Sequence, residues 1–465
     1  MGNNKLFHSP QGEDDQHAYH TSLEETLRHA LTPFQEHIKN QTTASILLFI
    51  CTFAALVWAG LPALKTNYSA FVNSPIGFHI SSFFFEKSLR FWVNDVLLAF
   101  FFFFVGLEIK RELLVGELTD RKQALFVIIA ALGGMLLPAG IYFLINLHSS
   151  TQSGWGIPMA TDTAFALGIL NCFKHKLPRG IFIFMAALAI LDDIGSILVI
   201  AIFYSSNFKL GLFLGALLLS ALILVINYAG IRRPWPYIII GIMMWALIEA
   251  SGVHGTLSGI LLAFLIPSRP AKGPKQFLKQ TKDLLSNFEQ RKNKTPLVLK
   301  DQEQHAVLEE VQETAQQATT PLQRWEGKLE RPIALGVLPL FALVNAGIPL
   351  NFHLLASLFY ERVSLGILLG LVIGKPLGIL LFSKLALHYR LGTLPQQIKF
   401  KHIATVSILS GIGFTMSLFI ANLSFQAPGN TLLIAKAAIL FSSVFSGIIG
   451  IIFLFMACRK GIFSS

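Results

Sequence analysis

From Ile181 to Tyr204 the chain reads IFIFMAALAILDDIGSILVIAIFY, an apolar run with two adjacent aspartates, Asp192 and Asp193, at its middle. A helix that crosses a bilayer needs about 20 apolar residues, so this run is long enough for one span. Each charge at that depth costs roughly 2.5–3.5 kcal/mol on an insertion scale. Ionisable groups inside a span therefore mark an ion or proton path by default. Two further apolar segments carry one charge each, Asp162 in GIPMATDTAFALG and Lys375 in LVIGKPLGIL. Left unpaired, the four would cost on the order of 10–14 kcal/mol. That equals the whole stability of a typical domain, about 5–15 kcal/mol. Four such charges are not accidents in a membrane anchor.

Composition agrees. The chain has 465 residues, 53% hydrophobic and only 14% charged, with a mean hydropathy of +0.59. Soluble proteins carry about 25% charged residues. The expected fold is an all-α polytopic membrane protein with about twelve spans, at 44–64, 91–113, 123–147, 156–173, 180–204, 208–228, 234–251, 254–267, 332–350, 362–386, 401–422 and 432–457. A net charge of +11 would point to nucleic acid in a soluble protein. Here basic loops on one side of a membrane account for it, and no nucleic-acid partner is expected. With an inner N-terminus, the inner connections hold Lys110, Arg111, Arg121, Lys122, Lys174, Lys176, Arg179, Arg232, Arg233, Lys384, Arg390, Lys399, Lys401, Arg459 and Lys460. The outer ones hold Lys65, Lys87, Arg90, Lys209 and Arg362. That asymmetry places both termini in the cytoplasm.

The domain plan follows. An N-terminal tail covers 1–43, with no signal-peptide pattern. Spans one to eight cover 44–267 and spans nine to twelve 332–457, with a short C-terminal tail at 458–465. Between the two groups, 268–331 is basic and then acidic and shows no strong apolar period, as in a partly helical or disordered cytoplasmic linker. Partial alternation in YSAFVNSPIGFHI, within the outer connection 65–90, suggests a short hairpin. Cys51, Cys172 and Cys458 lack metal spacing and read as packing residues.

Two spans are poor helices at their centres. Pro158 and Ala160–Thr163 interrupt the fourth; Ser410, Gly411, Ile412 and Gly413 interrupt the eleventh. Such residues weaken a helix through entropy or competing hydrogen bonds. Non-helical backbone at membrane depth persists only where protein buries it or it lines a cavity. Close packing alone would also explain Gly411 and Gly413.

The stretches FFFFVGLEIKREL, GIPMATDTAFALG, MAALAILDDIG, SGVHGTLSG, LPLFALVNAG, IGKPLGI and GIGFTMS, in this order, resemble the NhaA-type sodium/proton antiporter family over about 44–457. The discontinuous-helix pattern is one by which that family is itself described. The resemblance implies two inverted three-helix repeats, spans three to five and ten to twelve. It implies electrogenic exchange of cytoplasmic Na⁺ or Li⁺ for external H⁺ in pH and sodium homeostasis. The setting would be a bacterial inner membrane, with no cofactor, no enzymatic activity and a homodimer contact available through the 65–90 hairpin. Asp192 and Asp193 match the ion-binding pair. Asp162, with Thr161, matches the residue that compensates the positive helix ends, and Lys375 the one that compensates the negative ends and pairs with the first aspartate. Glu108, Lys110, Arg111 and Glu112 match a pH-responsive cytoplasmic funnel or are plain interfacial charges. His254 is an interface residue or a regulator. Glu326 matches a pH-sensing position, but the family's Glu-His-x-Leu-His-Pro is Glu326-Gly327-Lys328-Leu329-Glu330-Arg331 here, with both histidines gone.

The chemistry points the same way without the family. Successive residues on a helix are rotated by about 100°, so Asp192 and Asp193 cannot both face one cavity. One aspartate would pair with Lys375 and the other face the ion. A hard cation wants oxygen ligands, and a carboxylate binds it only when deprotonated, so Na⁺ and H⁺ compete. Rival readings are an uncoupled cation channel, a non-transporting sensor, and an acid-dyad membrane enzyme. The last lacks both a Gly-x-Gly-Asp motif and any further acid after Asp193 in Ile-Gly-Ser-Ile.

Overall fold

The computed structural model describes residues 41–80, 83–116, 120–205, 208–291, 302–349, 352–394, 398–425 and 429–460. Residues 1–40 and 461–465 of the expected tails, and 292–301 of the expected linker, lie outside the described residues. The elements run α1 Gln41–Gly60, α2 Lys65–Val72, β1 Pro75–Ile80, β2 Phe83–Ser88, then α3 Leu89–Val115, α4 Arg121–Ile145, α5 Thr163–Cys172 and α6 Arg179–Phe203. They continue as α7 Leu210–Tyr228, α8 Pro234–Ala250, α9 Thr256–Leu265, α10 Pro274–Arg291, α11 Gln302–Ala318, α12 Pro321–Pro332 and α13 Leu338–Asn345. The chain ends with α14 Phe352–Ser357, α15 Arg362–His388, α16 Phe400–Ser407, α17 Phe414–Ser424 and α18 Asn430–Arg459.

This is an all-α polytopic membrane protein. Among the described residues, seven helices (α1, α3, α4, α6, α7, α15 and α18) are long and apolar enough to cross a bilayer. The stretches Phe400–Gly411 and Phe414–Ser424 together pass the same test as one span bent by 46°. The other expected spans fall on shorter pieces: α8 and α9 are apolar but short, and α13 has 8 residues. Large apolar side chains such as Leu144, Leu218 and Ile202 stand exposed, which suits a lipid-facing surface and not a watery one.

Small residues set the closest helix approach. Gly133 of α4 and Gly378 of α15 lie so near that a Cβ on either would meet the other's carbonyl oxygen. Backbones approach this closely in membranes where no side chain intervenes. The contact anchors α15, whose turn at Gly370–Gly374 widens to a π-helix just before Lys375. π-Bulges commonly sit at functional sites. Among the described residues two more occur, at Trp92–Leu97 within α3 and at Ile333–Val337 leading into α13.

Two segments differ from the sequence expectation. The 65–90 connection contains the expected antiparallel hairpin, β1 pairing with β2 from Pro75–Ser88 to Ile80–Phe83, but it is preceded by helix α2. The expected linker is mostly helical. Its apolar stripe is sparse: Phe277, Thr281, Leu284 and Phe288 face inward on α10, and Val307, Val311 and Thr314 on α11. The two helices pack on one another along these stripes. The period escapes a reading of the sequence because Lys, Gln and Glu separate the few apolar positions. Nor does 331/332 mark a break, since helix continues from α12 through Pro332 into α13. Cys172 is exposed, so it does not pack inside, while Cys51 and Cys458 are half-buried; all three are free.

Candidate functional site

The fourth expected span is a 3₁₀ stretch, Gln152–Met159, followed by extended backbone at Ala160–Asp162 and then α5. The eleventh is α16, a 3₁₀ turn at Leu409–Gly411, a break at Ile412–Gly413, and α17. The two breaks touch, with Asp162 N–H donating to the Ile412 carbonyl at 2.6 Å. Helix ends leave backbone groups without intrahelical partners, N–H at the start and C=O at the end. At this crossing, side chains of the two broken segments and of α15 supply partners.

Asp162 serves two helix starts at once. Its Oδ1 accepts from Phe165 N–H at 3.1 Å, capping α5. Its Oδ2 accepts from the Thr415 N–H at 3.0 Å and the Thr415 hydroxyl at 2.7 Å, at the start of α17. Negative charge belongs at these positive ends. Lys375 does the reverse, as its ammonium donates to the Met159 carbonyl, the last residue of the 3₁₀ stretch. The same Nζ lies 2.8 Å from Asp192 Oδ2, with both side chains fully buried. Thr161 completes the group, its hydroxyl donating to Asp192 Oδ2 at 2.6 Å and lying 3.2 Å from the Ser410 carbonyl.

Asp193 points elsewhere. It lines a cavity of about 450 Å³ together with Glu108, Arg111, Thr161, Asp162, Thr163 and Thr415, and with Glu326 and Glu330 of α12. Asp192 does not line it. Asp193 is 5% exposed and Asp192 not at all. Among the described residues, Oδ1 of each aspartate is buried without a hydrogen-bond partner. A buried carboxylate oxygen left this way carries a full desolvation penalty, so it invites a proton or a cation.

The remaining sequence candidates separate into two places. Arg111 bridges Glu326 at 2.7 Å and Glu112 at 2.8 Å, at the mouth of the cavity. Glu326 thus takes its cation from α3, not from Lys328 of its own helix. Lys110 donates to the carbonyls of Phe264 and Ile266, tying α3 to the end of α9. His254 lies apart from the cavity, with Nε2 3.3 Å from Asp95 and its ring edge-on to Phe419 at 5.3 Å. Gly411 and Gly413 sit at the break. A Cβ on Gly411 would come within 2.6 Å of the Leu371 carbonyl oxygen and 2.7 Å of Ser446 Oγ, so no larger residue fits without movement.

Sequence reasoning missed Thr415, whose amide and hydroxyl both bind Asp162. Its place directly after the Gly413 break, in the first turn of a new helix, was the available signal. It also missed the amide network of Asn94, Asn345 and Asn422, which joins α3, α13 and α17 through bonds of 2.7–3.2 Å. Single asparagines in three distant segments carry no such signal.

Two broken helices whose breaks meet inside the protein, matched by buried charges and opened to a cavity by one more aspartate, define the kind of site found in secondary transporters. The Na⁺/H⁺ antiporter 1 family model matches residues 35–454. The chain is 42% identical to Na(+)/H(+) antiporter NhaA 2 of Psychromonas ingrahamii, covering 92% of this chain and 90% of that one. It is 41% identical to NhaA 1 of Shewanella denitrificans over 94% and 97% of the two chains, and 41% identical to NhaA of Helicobacter pylori over 91% and 95%. The chain belongs to the NhaA family of Na⁺/H⁺ antiporters.

Proposed function

We propose that the chain exchanges Na⁺ for H⁺ across a membrane by letting both compete for Asp193, with Asp192 held by Lys375 and Thr161 as the fixed partner. The carrying observation is the contrast between two adjacent aspartates: Asp192 meets a cation at 2.8 Å, while Asp193 faces the 450 Å³ cavity with Oδ1 unpartnered. A deprotonated Asp193 supplies a hard oxygen ligand to Na⁺, and a protonated one cannot. Loading one ion therefore expels the other. Asp162 at two helix starts and Lys375 at the Met159 end hold the crossing together, and movement of the two broken helices would expose Asp193 to one side and then the other. Spans three to five and ten to twelve form the inverted repeats in this reading.

Finer points belong to the same proposal. Li⁺, a smaller hard cation, would share the site. Asp193 carries one proton per cycle, so electrogenic exchange would require a second group to release a proton as Na⁺ loads. The basic connections support both termini on the cytoplasmic side of a bacterial inner membrane, with the cavity mouth at Glu108, Arg111 and Glu326 facing that side in this reading. The hairpin leaves strand edges that a second copy could pair with. The decisive experiment reconstitutes the protein in vesicles and follows internal pH while Na⁺, Li⁺ and K⁺ are added in turn. Na⁺-driven proton movement supports the proposal. Na⁺ flux without proton movement would make it a channel, and no flux at all a sensor.

A further inference from the structure

A second cluster lies at the other end of α3. Asp95, in the π-helical turn Trp92–Leu97, is 13 residues from Glu108, about 20 Å along a helix. Glu249 closes α8 and His254 precedes α9. One ligand atom from each of the three falls within 4.8 Å of the others. We propose that Asp95, Glu249 and His254 form a binding site for a divalent transition-metal cation, with Zn²⁺ as its probe.

Four observations carry this. First, the donor set is mixed: one imidazole and two carboxylates suit Zn²⁺-like ions, whereas Mg²⁺ prefers oxygen alone. Second, the spacing fits. A tetrahedral ion with bonds of about 2.1 Å sets its ligands about 3.4 Å apart. His254 Nε2 already stands 3.3 Å from Asp95 Oδ1, and a Glu249 oxygen falls within the 4.8 Å that encloses all three.

Third, the ligands are oriented from behind. His254 Nδ1 is 3.2 Å from the Thr256 hydroxyl, which leaves Nε2 for the cluster. Gly255 N–H donates to Glu249 Oε2 at 2.8 Å. Such outer partners hold metal-ligating side chains in place. Gly255 has no room for a side chain, since a Cβ there would lie 2.6 Å from Trp245 Nε1 and 2.8 Å from Glu249 Oε2. Fourth, the charge is compensated only from a distance, by Lys87. Among the described residues, no lysine or arginine forms an ion pair with Asp95 or Glu249. A carboxylate only accepts, so Nε2 facing Asp95 needs either a proton or a shared cation. The buried Trp245 indole N–H next to Glu249 has no acceptor; an acceptor such as a metal-bound water would satisfy it.

The site would join α3 to α8 and α9, and through His254 and Phe419 it touches α17. Occupancy should stiffen that end of the bundle. The test is equilibrium dialysis of the full-length protein in detergent against Zn²⁺, on wild type, Glu249→Gln and His254→Gln. Each variant is first shown to be monodisperse and cooperatively folded. Histidines elsewhere contribute a common background, so the readout is the difference between proteins. Each variant should lose one equivalent of bound Zn²⁺, or weaken one site at least tenfold, and lose the Zn²⁺-dependent rise in melting temperature. Mg²⁺ should produce no rise in any of the three. Equal stoichiometry and affinity in wild type and Glu249→Gln would overturn the site and leave His254–Asp95 as a hydrogen-bonded pair. Because binding is read without flux, the result stands independently of the transport mechanism.

Discussion

The helix crossing and the cavity wall beside it share one turn of α6 and differ in how their polar groups are met. At the crossing, Asp162 receives three donors, and Lys375 reaches both Asp192 and the Met159 carbonyl. At the wall, Asp193 lines the cavity, and among the described residues no lysine or arginine pairs with it. Asp192 also keeps one buried oxygen without a partner, so what divides the two aspartates is a cation at one and a cavity at the other. The neighbours differ in environment because a 100° turn separates their side chains. Each prediction below tests whether that division of labour is real.

The largest effect is expected at the wall. Asp193→Asn keeps the volume but removes both the charge and the exchangeable proton. Na⁺-dependent proton movement should fall by at least about 100-fold, beyond assay background, because a single essential acid–base group contributes on the order of 10²–10⁴. The melting temperature should hold or rise, since a buried carboxylate without a partner is destabilising. Wild-type exchange in well-inserted Asp193→Asn would end the assignment.

At the crossing the loss should instead appear as stability. Lys375→Ala strands Asp192, and breaking a buried pair costs about 3–5 kcal/mol. Asp192→Asn combined with Lys375→Gln removes both charges and should recover part of that loss. The cycle is measured by thermal or denaturant unfolding in detergent; strictly additive losses would mean that the two do not couple.

Much of this could be read from the sequence because buried charge is rare in apolar spans. Asp162, Asp192, Asp193 and Lys375 stand out for that reason alone, and the breaks show through Pro158, Gly411 and Gly413. The residues that complete the crossing were harder to see. Thr415 acts through its backbone as much as its hydroxyl, and backbone donors leave no mark in a sequence. Pairing across 215 positions, as between Arg111 and Glu326, depends on the fold. Along α12 the cations nearer in sequence are Lys328 and Arg331. The amphipathic helices at 274–318 were obscured by their charge, and α8, α9 and α13 are shorter than uninterrupted hydropathy suggests.

Packing at the crossing can be probed more gently. Gly411→Ala places a methyl against the Leu371 carbonyl and Ser446, and overpacking typically costs about 1–3 kcal/mol. Gly140→Ala in α4 is the control, because nothing lies within 4 Å of a Cβ there. It should be neutral or stabilising, as alanine favours helix by roughly 1 kcal/mol over glycine. Equal unfolding temperatures for the two variants would show that the breaks are looser than their geometry indicates.

The smallest effect is expected at the cavity mouth. The Arg111 and Glu326 side chains are 34% and 17% exposed, and a partly exposed pair is worth about 0–1 kcal/mol. Glu326→Gln with Glu330→Gln should therefore leave stability nearly unchanged. It should also leave the pH profile of exchange within one unit of wild type, because the two imidazoles that could titrate near pH 6.5 in this segment are replaced by Gly327 and Glu330. The pH dependence then arises at the dyad. Protons fill Asp193 at low pH and exchange falls; Na⁺ binds only the deprotonated form, so more Na⁺ moves the half-maximal pH downward. Competition for a single proton predicts a shift of about one pH unit per tenfold change in Na⁺. The measurement is exchange rate against pH at two Na⁺ concentrations, in wild type and the double variant. Parallel Na⁺-dependent shifts in both proteins keep the switch at the wall. A profile that moves by a full unit with the glutamines, and not with Na⁺, would place a separate sensor on α12 and remove the contrast between a passive mouth and a titrating site.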